Sequence, residues 1–311
     1  MDEFSLKTPV AFIIFKRPDT TEKVFEAIRQ AKPPKLLVIA DGARKDKPGE
    51  AGKCAATRAI IDRVDWDCEV LKNYSDINLG CGKRVSSGLD WVFDQVEEAI
   101  ILEDDCLPHP TFFRFCEELL ERYRYDERIA SISGQNVQFN RKRTDYSYYF
   151  SRYNHIWGWA TWRRAWQYYD FKMNLWSEIK RQNFLRDILQ DEQAVKDWTK
   201  VFQNMYDGDK NTWGFQWQFA CWIHNRLGII SNVNLISNIG FGAESTHLSN
   251  TKSRHANIPT EAMEFPLKHP PFMIRDEQAD NFTQKTLFSS LNPSLVKRFL
   301  WKSQEILEHR S

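Results

Sequence analysis

Short runs of consecutive apolar residues alternate with amphipathic stretches through the first half of the chain. Val10-Ala11-Phe12-Ile13-Ile14-Phe15 reads as a buried strand. Asp19 with Glu22 has capping-box spacing for a helix whose Val24, Ile28 and Ala31 share one face, and Pro33-Pro34 ends it. Leu36-Leu37-Val38-Ile39-Ala40 is a second strand closing on Asp41-Gly42, and Glu69-Val70-Leu71 a weaker third. The Gly-rich turn Asn78-Leu79-Gly80-Cys81-Gly82 opens a helix with Val85, Leu89, Val92 and Val96 at helical spacing. A fourth strand, Ala99-Ile100-Ile101-Leu102, runs straight into Glu103-Asp104-Asp105.

The second half is less regular. Ile129 to Ser133 and Ser147 to Phe150 read as strands, an aromatic-rich region follows, and a last helix is expected from about Pro293 to His309. Strands alternating with helices predict an α/β fold, a mainly parallel central sheet flanked by helices. No low-complexity linker or internal repeat divides the chain, so a boundary near residue 135 separates functions within a single fused unit.

Open α/β sheets bind ligands beyond the carboxyl ends of their strands, which places Arg17, Asp41 and Glu103-Asp104-Asp105 on the binding edge. Three consecutive carboxylates at a buried strand end repel one another and lose hydration, so a cation is expected to compensate them. A hard divalent cation sharing one or two carboxylates with substrate phosphates meets that need; a solvated acidic turn before Pro108 is the alternative. Lys83 and Arg84 open the helix before the acidic strand, where free N–H groups favour a phosphate, although cations there are also commonly just solvated.

Composition narrows the partners. Charge is balanced, 43 basic against 42 acidic residues in 311, so no summed field favours nucleic acid. The six cysteines form no C-x-x-C pair and no zinc spacing, which fits reduced thiols in a cytoplasmic protein. Met1 to Ser5 lacks the layout of a signal peptide, and no apolar run approaches a membrane span. Aromatics make up 14% of residues, with the 12 Trp concentrated between Trp157 and Trp222, surfaces that suit sugar faces as well as cores.

A strand ending in Glu103-Asp104-Asp105 and followed by Cys106-Leu107-Pro108-His109-Pro110-Thr111-Phe112-Phe113 resembles nucleotide-sugar glycosyltransferases of the GT-A fold whose metal motif is EDD. Bacterial family-2-like enzymes and N-acetylglucosaminyltransferase I are of this kind, and the likeness in element order runs from Pro9 to about Leu248. The resemblance implies a GT-A-like sheet and Mn²⁺ or Mg²⁺ bridging a donor diphosphate, with Asp105 the principal metal ligand and Asp104 and Glu103 on the donor. Phe15 and Arg17, in Phe15-Lys16-Arg17-Pro18, become base and phosphate contacts, and Asp41 the carboxylate that reads uracil in a UDP-sugar. Trp157-Gly158-Trp159 is similar to a Gly-Trp segment near donor sugar and acceptor, although packing is the commoner role of a single Trp. Ile239 to His247 is similar to a late loop that closes over the diphosphate, where His247 takes a metal or phosphate contact.

On this reading residues 1–135 bind nucleotide sugar, 136–275 bind a glycan or lipid-linked acceptor, and 276–311 form a helical tail. Transfer with inversion needs a base at the acceptor hydroxyl. The comparable stretch here, Gly214-Phe215-Gln216, carries no carboxylate, so Asp209 is the expected base, followed by Asp207 and Glu244. Two rivals remain. A sugar-phosphate nucleotidylyltransferase needs a Gly-rich loop after the first strand, where Phe15-Lys16-Arg17-Pro18 has none; a non-catalytic carbohydrate-binding protein accords with the missing base. The tail helix sets Phe299, Leu300 and Trp301 beside Lys297, Arg298 and Lys302, a pattern for packing on the body or a second subunit, or for peripheral membrane contact.

Overall fold

The elements were traced in a computed structural model that describes residues 4–208, 211–241 and 256–288. In chain order they are β1 (Val10–Ile14), α1 (Pro18–Ala31), β2 (Lys35–Ala40), α2 (Glu50–Ile60), β3 (Glu69–Tyr74), α3 (Gly80–Gln95), β4 (Glu98–Glu103), β5 (Cys106–Pro108) and α4 (Thr111–Arg122). There follow β6 (Ile129–Ser133), β7 (Tyr148–Ser151), β8 (Trp159–Trp162), α5 (Arg163–Trp166), α6 (Trp176–Arg181), α7 (Leu185–Leu189), α8 (Glu192–Tyr206), α9 (Gly214–Ile223), β9 (Leu227–Ser231), β10 (Ile236–Asn238) and α10 (Glu277–Thr283).

Eight strands form one sheet in the order β3-β2-β1-β4-β8-β6-β9-β7. The first four are parallel, as are β6 and β9, whereas β8 runs antiparallel to both β4 and β6, and β7 antiparallel to β9. The α/β class and helix-flanked sheet expected from the pattern are what the chain forms, in one sheet that continues across residue 135. Its second half is mixed in direction, and β10 pairs with β5 in a separate two-stranded ribbon.

Successive strand residues point to opposite faces. Val10, Phe12 and Ile14 of β1 join Leu36, Val38, Ile100 and Leu102 in the core beneath α1 and α4. Ala11 and Ile13 join Leu37, Ile39, Ala99 and Ile101 in the core beneath α3 and α9. Helices cover both faces, so both parities must be apolar; hence the near-continuous hydrophobic runs. A third cluster around Trp176, Trp198, Phe202 and Trp222 holds the helices between α6 and α9 together.

Helix α1 departs from the expected capping box. It begins at Pro18, with Arg17 as an N-cap whose side chain makes no capping bond. Proline at the first turn needs no N–H acceptor and sets φ for a helix, which frees the Arg17 side chain for another task.

The segment Trp159–Trp162 is strand β8, buried in the middle of the sheet, rather than an open aromatic surface. All six cysteines are free thiols. Among the described residues no helix is long and apolar enough to cross a membrane. The expected tail helix from Pro293 lies outside the described residues.

Candidate active site

Strands β1 and β4 are parallel neighbours, with Ile13 opposite Glu103, so the turn after β1 and the acidic run after β4 meet at one point of the sheet edge. The Arg17 guanidinium bridges the two aspartates there. It is hydrogen-bonded to Asp104, and its other terminal nitrogen stands 2.9 Å from an Asp105 oxygen. The Phe15 amide adds a bond to Asp104 Oδ2 at 3.3 Å. The compensating cation demanded by the carboxylates is thus, in part, the chain's own.

Burial works to lower the Arg17 pKa, but Asp104 and Asp105 raise it well above its usual value, so the charge is permanent. Glu103 shares the parity of Ile101 and faces the α3 side. Burial, then Asp105 and Asp104, push its carboxyl up to about 8, which leaves it protonated at neutral pH and able to donate a hydrogen bond. Burial also raises Asp104, with Arg17 opposing. The thiols of Cys81 and Cys106 border the site, Cys106 Sγ donating to Asp105 Oδ1 at 3.5 Å.

The chain closes over this cluster at the end of β10. The Ile239 amide donates to the Asp105 carbonyl at 2.8 Å. A Cβ on Gly240 would overlap Asp105 Oδ2 and lie 2.6 Å from the Arg17 guanidinium, so only glycine lets the backbone come so near. Phe241 stands edge-on to Trp157, ring centres 5.9 Å apart, which puts Trp157 beside this closing segment. His247 and Glu244, farther along the same stretch, lie outside the described residues, as does Asp209.

The other expected contacts are placed differently. Asp41 follows β2 directly, where Oδ1 accepts from the Gly42 and Leu79 amides and Oδ2 from Gly80 N and Asn78 Nδ2, each at 2.9–3.0 Å. A carboxylate has about four acceptor positions, and all are in use fastening β2 to the start of α3. Lys83 is exposed, whereas Arg84 is buried and turns its guanidinium to the carbonyl and side chain of Asn73. Trp159 is fully buried, packed on Trp213 and Trp217 with ring centres 5.7 Å away in each case. The structure therefore brings together Phe15, Arg17, Glu103, Asp104 and Asp105, sets Trp157 near them, and engages Asp41 and Arg84 in hydrogen bonds within the fold and Trp159 in packing.

Several neighbours were not legible as site residues. Asn211 Oδ1 accepts from the Gly82 amide at 2.7 Å, and a Cβ on Gly80 would overlap the Asn211 side chain. The glycines of this turn thus admit the Asn211-Thr212 backbone to the start of α3, which brings the Trp213 to Trp217 stretch toward the site. Gly158, at φ +65°, serves a similar end, since a Cβ there would overlap Ile236 of the ribbon. Beside the turn after β1, buried Glu50 accepts from Lys16 Nζ at 2.9 Å and from the Arg44 amide and guanidinium. Burial alone would raise Glu50, but Arg44 and Lys16 outweigh it and hold the carboxyl at about 2. The signal for that cluster was only a helical glutamate thirty-four residues from a lysine, invisible without the fold.

No protein-family model and no curated protein matches the sequence. Among solved structures, the chain is similar to S. aureus TarS 1-349, at 10% identity over 51% of this chain and 47% of that one, with a TM-score of 0.34. It is also similar to mouse xyloside xylosyltransferase 1 in its apo form, at 9% identity over 69% of this chain and 81% of that one, TM-score 0.34. The match spans about half the length of the TarS chain.

Proposed function

We propose that the chain is a glycosyltransferase that takes a sugar from a nucleoside diphosphate, UDP by preference, and passes it to a glycan or lipid-linked acceptor. The observation that carries the reading is the meeting of Arg17 with Glu103, Asp104 and Asp105 where parallel strands β1 and β4 end, beneath the Gly240 backbone. A parallel sheet concentrates ligand sites at that edge, and few bland roles require three acids and an arginine to be buried together there.

The donor set suits a hard divalent cation. It is all oxygen, and Mg²⁺ or Mn²⁺ ordinarily takes one or two carboxylates and completes its shell with water and substrate phosphates. Among the described residues no group of three or more His, Cys, Asp or Glu side chains is set to hold a metal by itself, so an ion here would need water and substrate phosphates to complete its shell. Asp105, with Asp104, would hold the ion, which neutralises charge on the departing diphosphate.

The chain's residues supply the rest. Arg17 keeps the aspartates in register and offers its remaining guanidinium edge to a phosphate. Glu103, at the same edge, can hydrogen-bond a hydroxyl of the donor. The Gly240 backbone lies close over the cluster, and the low exposure of Asp104 and Asp105 strengthens the charge interactions within it. An inverting transfer draws its base from the acceptor side, and Asp209 remains our choice there.

Calorimetric titration with UDP, with and without Mn²⁺, tests the reading, along with donor hydrolysis across a panel of nucleotide sugars. Wild-type protein should bind UDP tightly only with the metal, and Asp105→Asn should lose the metal-dependent part with its fold intact. UDP affinity indifferent to both metal and Asp105→Asn would sink the proposal.

A further inference from the structure

Away from the acidic site, α6 and α8 border an open, solvent-facing cavity of about 430 Å³ lined by Trp176, Ser177, Lys180, Arg181, Gln203 and Tyr206. The floor is firm. Trp176 is 1% exposed, packs edge-on against Phe202 and Phe219, and donates from Nε1 to Gln203 Oε1 at 3.0 Å. Lys180 Nζ donates to the same oxygen at 2.8 Å, and Gln203 Nε2 donates to Asp207 at 2.8 Å.

One wall is an aromatic ring left in water. Tyr206 is 43% exposed, yet Ser177 Oγ donates to its hydroxyl at 3.1 Å and fixes the ring's far end. A ring held in place beforehand costs little to order when a ligand arrives. The lining holds two cations and no carboxylate. Arg181 has no ion-pair partner among the described residues, whereas Arg186 on the same lobe is paired with Glu192.

We infer that this cavity binds an anionic carbohydrate: the Tyr206 face takes the C–H side of a sugar ring, Gln203 and Ser177 its hydroxyls, and Lys180 with Arg181 a carboxylate or phosphate on the glycan. Aromatic side chains offer an apolar face with a polar tip, which matches a sugar better than an extended acidic peptide. The chain links the cavity to the start of α3. Tyr206 and Asn211 are five residues apart, so their Cα atoms lie within about 18 Å, and Asn211 touches the start of α3. That the ligand is a distal part of the acceptor rests on the transferase reading; that an anionic glycan binds here does not.

The test is calorimetry on the full chain with three oligosaccharides of matched length: a galacturonate oligomer, a sugar-phosphodiester oligomer and a neutral glucan. At least one anionic oligomer should bind saturably, about tenfold or more tighter than the glucan. Tyr206→Ala and the double variant Lys180→Ala/Arg181→Ala alter exposed side chains, and each should weaken binding about tenfold while UDP affinity stays unchanged. Comparison of the carboxylate and phosphate arms identifies the anion. The proposal is overturned if neither anionic oligomer binds, if the variants bind as wild type does, or if polyglutamate competes as well as the glycan. Glycan binding without UDP binding would remove the transferase reading and leave this site standing.

Discussion

Replacing Arg17 by Met keeps much of the side-chain volume and removes the cation that lies between Asp104 and Asp105. The three side chains are 16%, 4% and 11% exposed, so water replaces the lost partner poorly. Removing one member of a buried ion pair costs about 3–5 kcal/mol, chiefly because the remaining charge is left uncompensated; the partial exposure of Arg17 argues for about 3 kcal/mol. Unfolding entropy of about 2.1 cal/mol/K per residue over 311 residues is about 0.65 kcal/mol/K. The thermal midpoint should therefore fall by about 5 °C, read by near-UV circular dichroism at pH 7.5 and low salt.

Two further measurements separate electrostatics from packing. The triple variant Arg17→Met/Asp104→Asn/Asp105→Asn buries no opposed charge and should regain most of the loss. Mn²⁺ at a hundredfold its dissociation constant should restore Arg17→Met by about 2.7 kcal/mol, roughly 4 °C. If Arg17→Met melts with wild type, or the triple variant melts no higher than the single one, the ion pair does not hold this edge together and the reasoning fails.

Two other outcomes follow from the same edge. Glu50 has its carboxyl depressed from 4.5 to about 2, so the stability it contributes is complete above about pH 4.5 and is lost as pH falls toward 2; Glu50→Gln should be about 1–3 kcal/mol less stable in urea at pH 7 and show a flatter loss across that acid window. Gly42→Ala would put a Cβ 2.5–2.7 Å from the Ile77 backbone and should cost about 1–3 kcal/mol by urea titration, with an unchanged midpoint contradicting the tight turn that Asp41 fastens.

The residues of β1, β2 and β4 determine their own structure almost completely. A strand buried on both faces must be apolar at every position, and Val10–Ile14, Leu36–Ala40 and Ala99–Leu102 allow little else. The position of the acidic run at the sheet edge was equally legible, because it follows directly on a strand that must be buried. Trp159–Trp162 was not: aromatic residues suit a sugar face, a core or a strand alike, and only pairing with Glu98 to Ile101 on one side and Ile132 and Ser133 on the other decides among them.

Tertiary structure alone decided which charges meet. Arg17 and Asp104 are 87 residues apart, and Gly82 and Asn211 are 129 apart. Their contacts exist because β1 lies beside β4 and because the chain returns over α3. Asp41 shows the same limit from the other side: a carboxylate at a strand end looks ready for a ligand until the fold fills its acceptor positions with the turn at Leu79 and Gly80. Local sequence sets what a side chain can do. Strand order and loop return set what it finds within reach, because hydrogen bonds and ion pairs act over a few ångströms of space regardless of the length of chain between them.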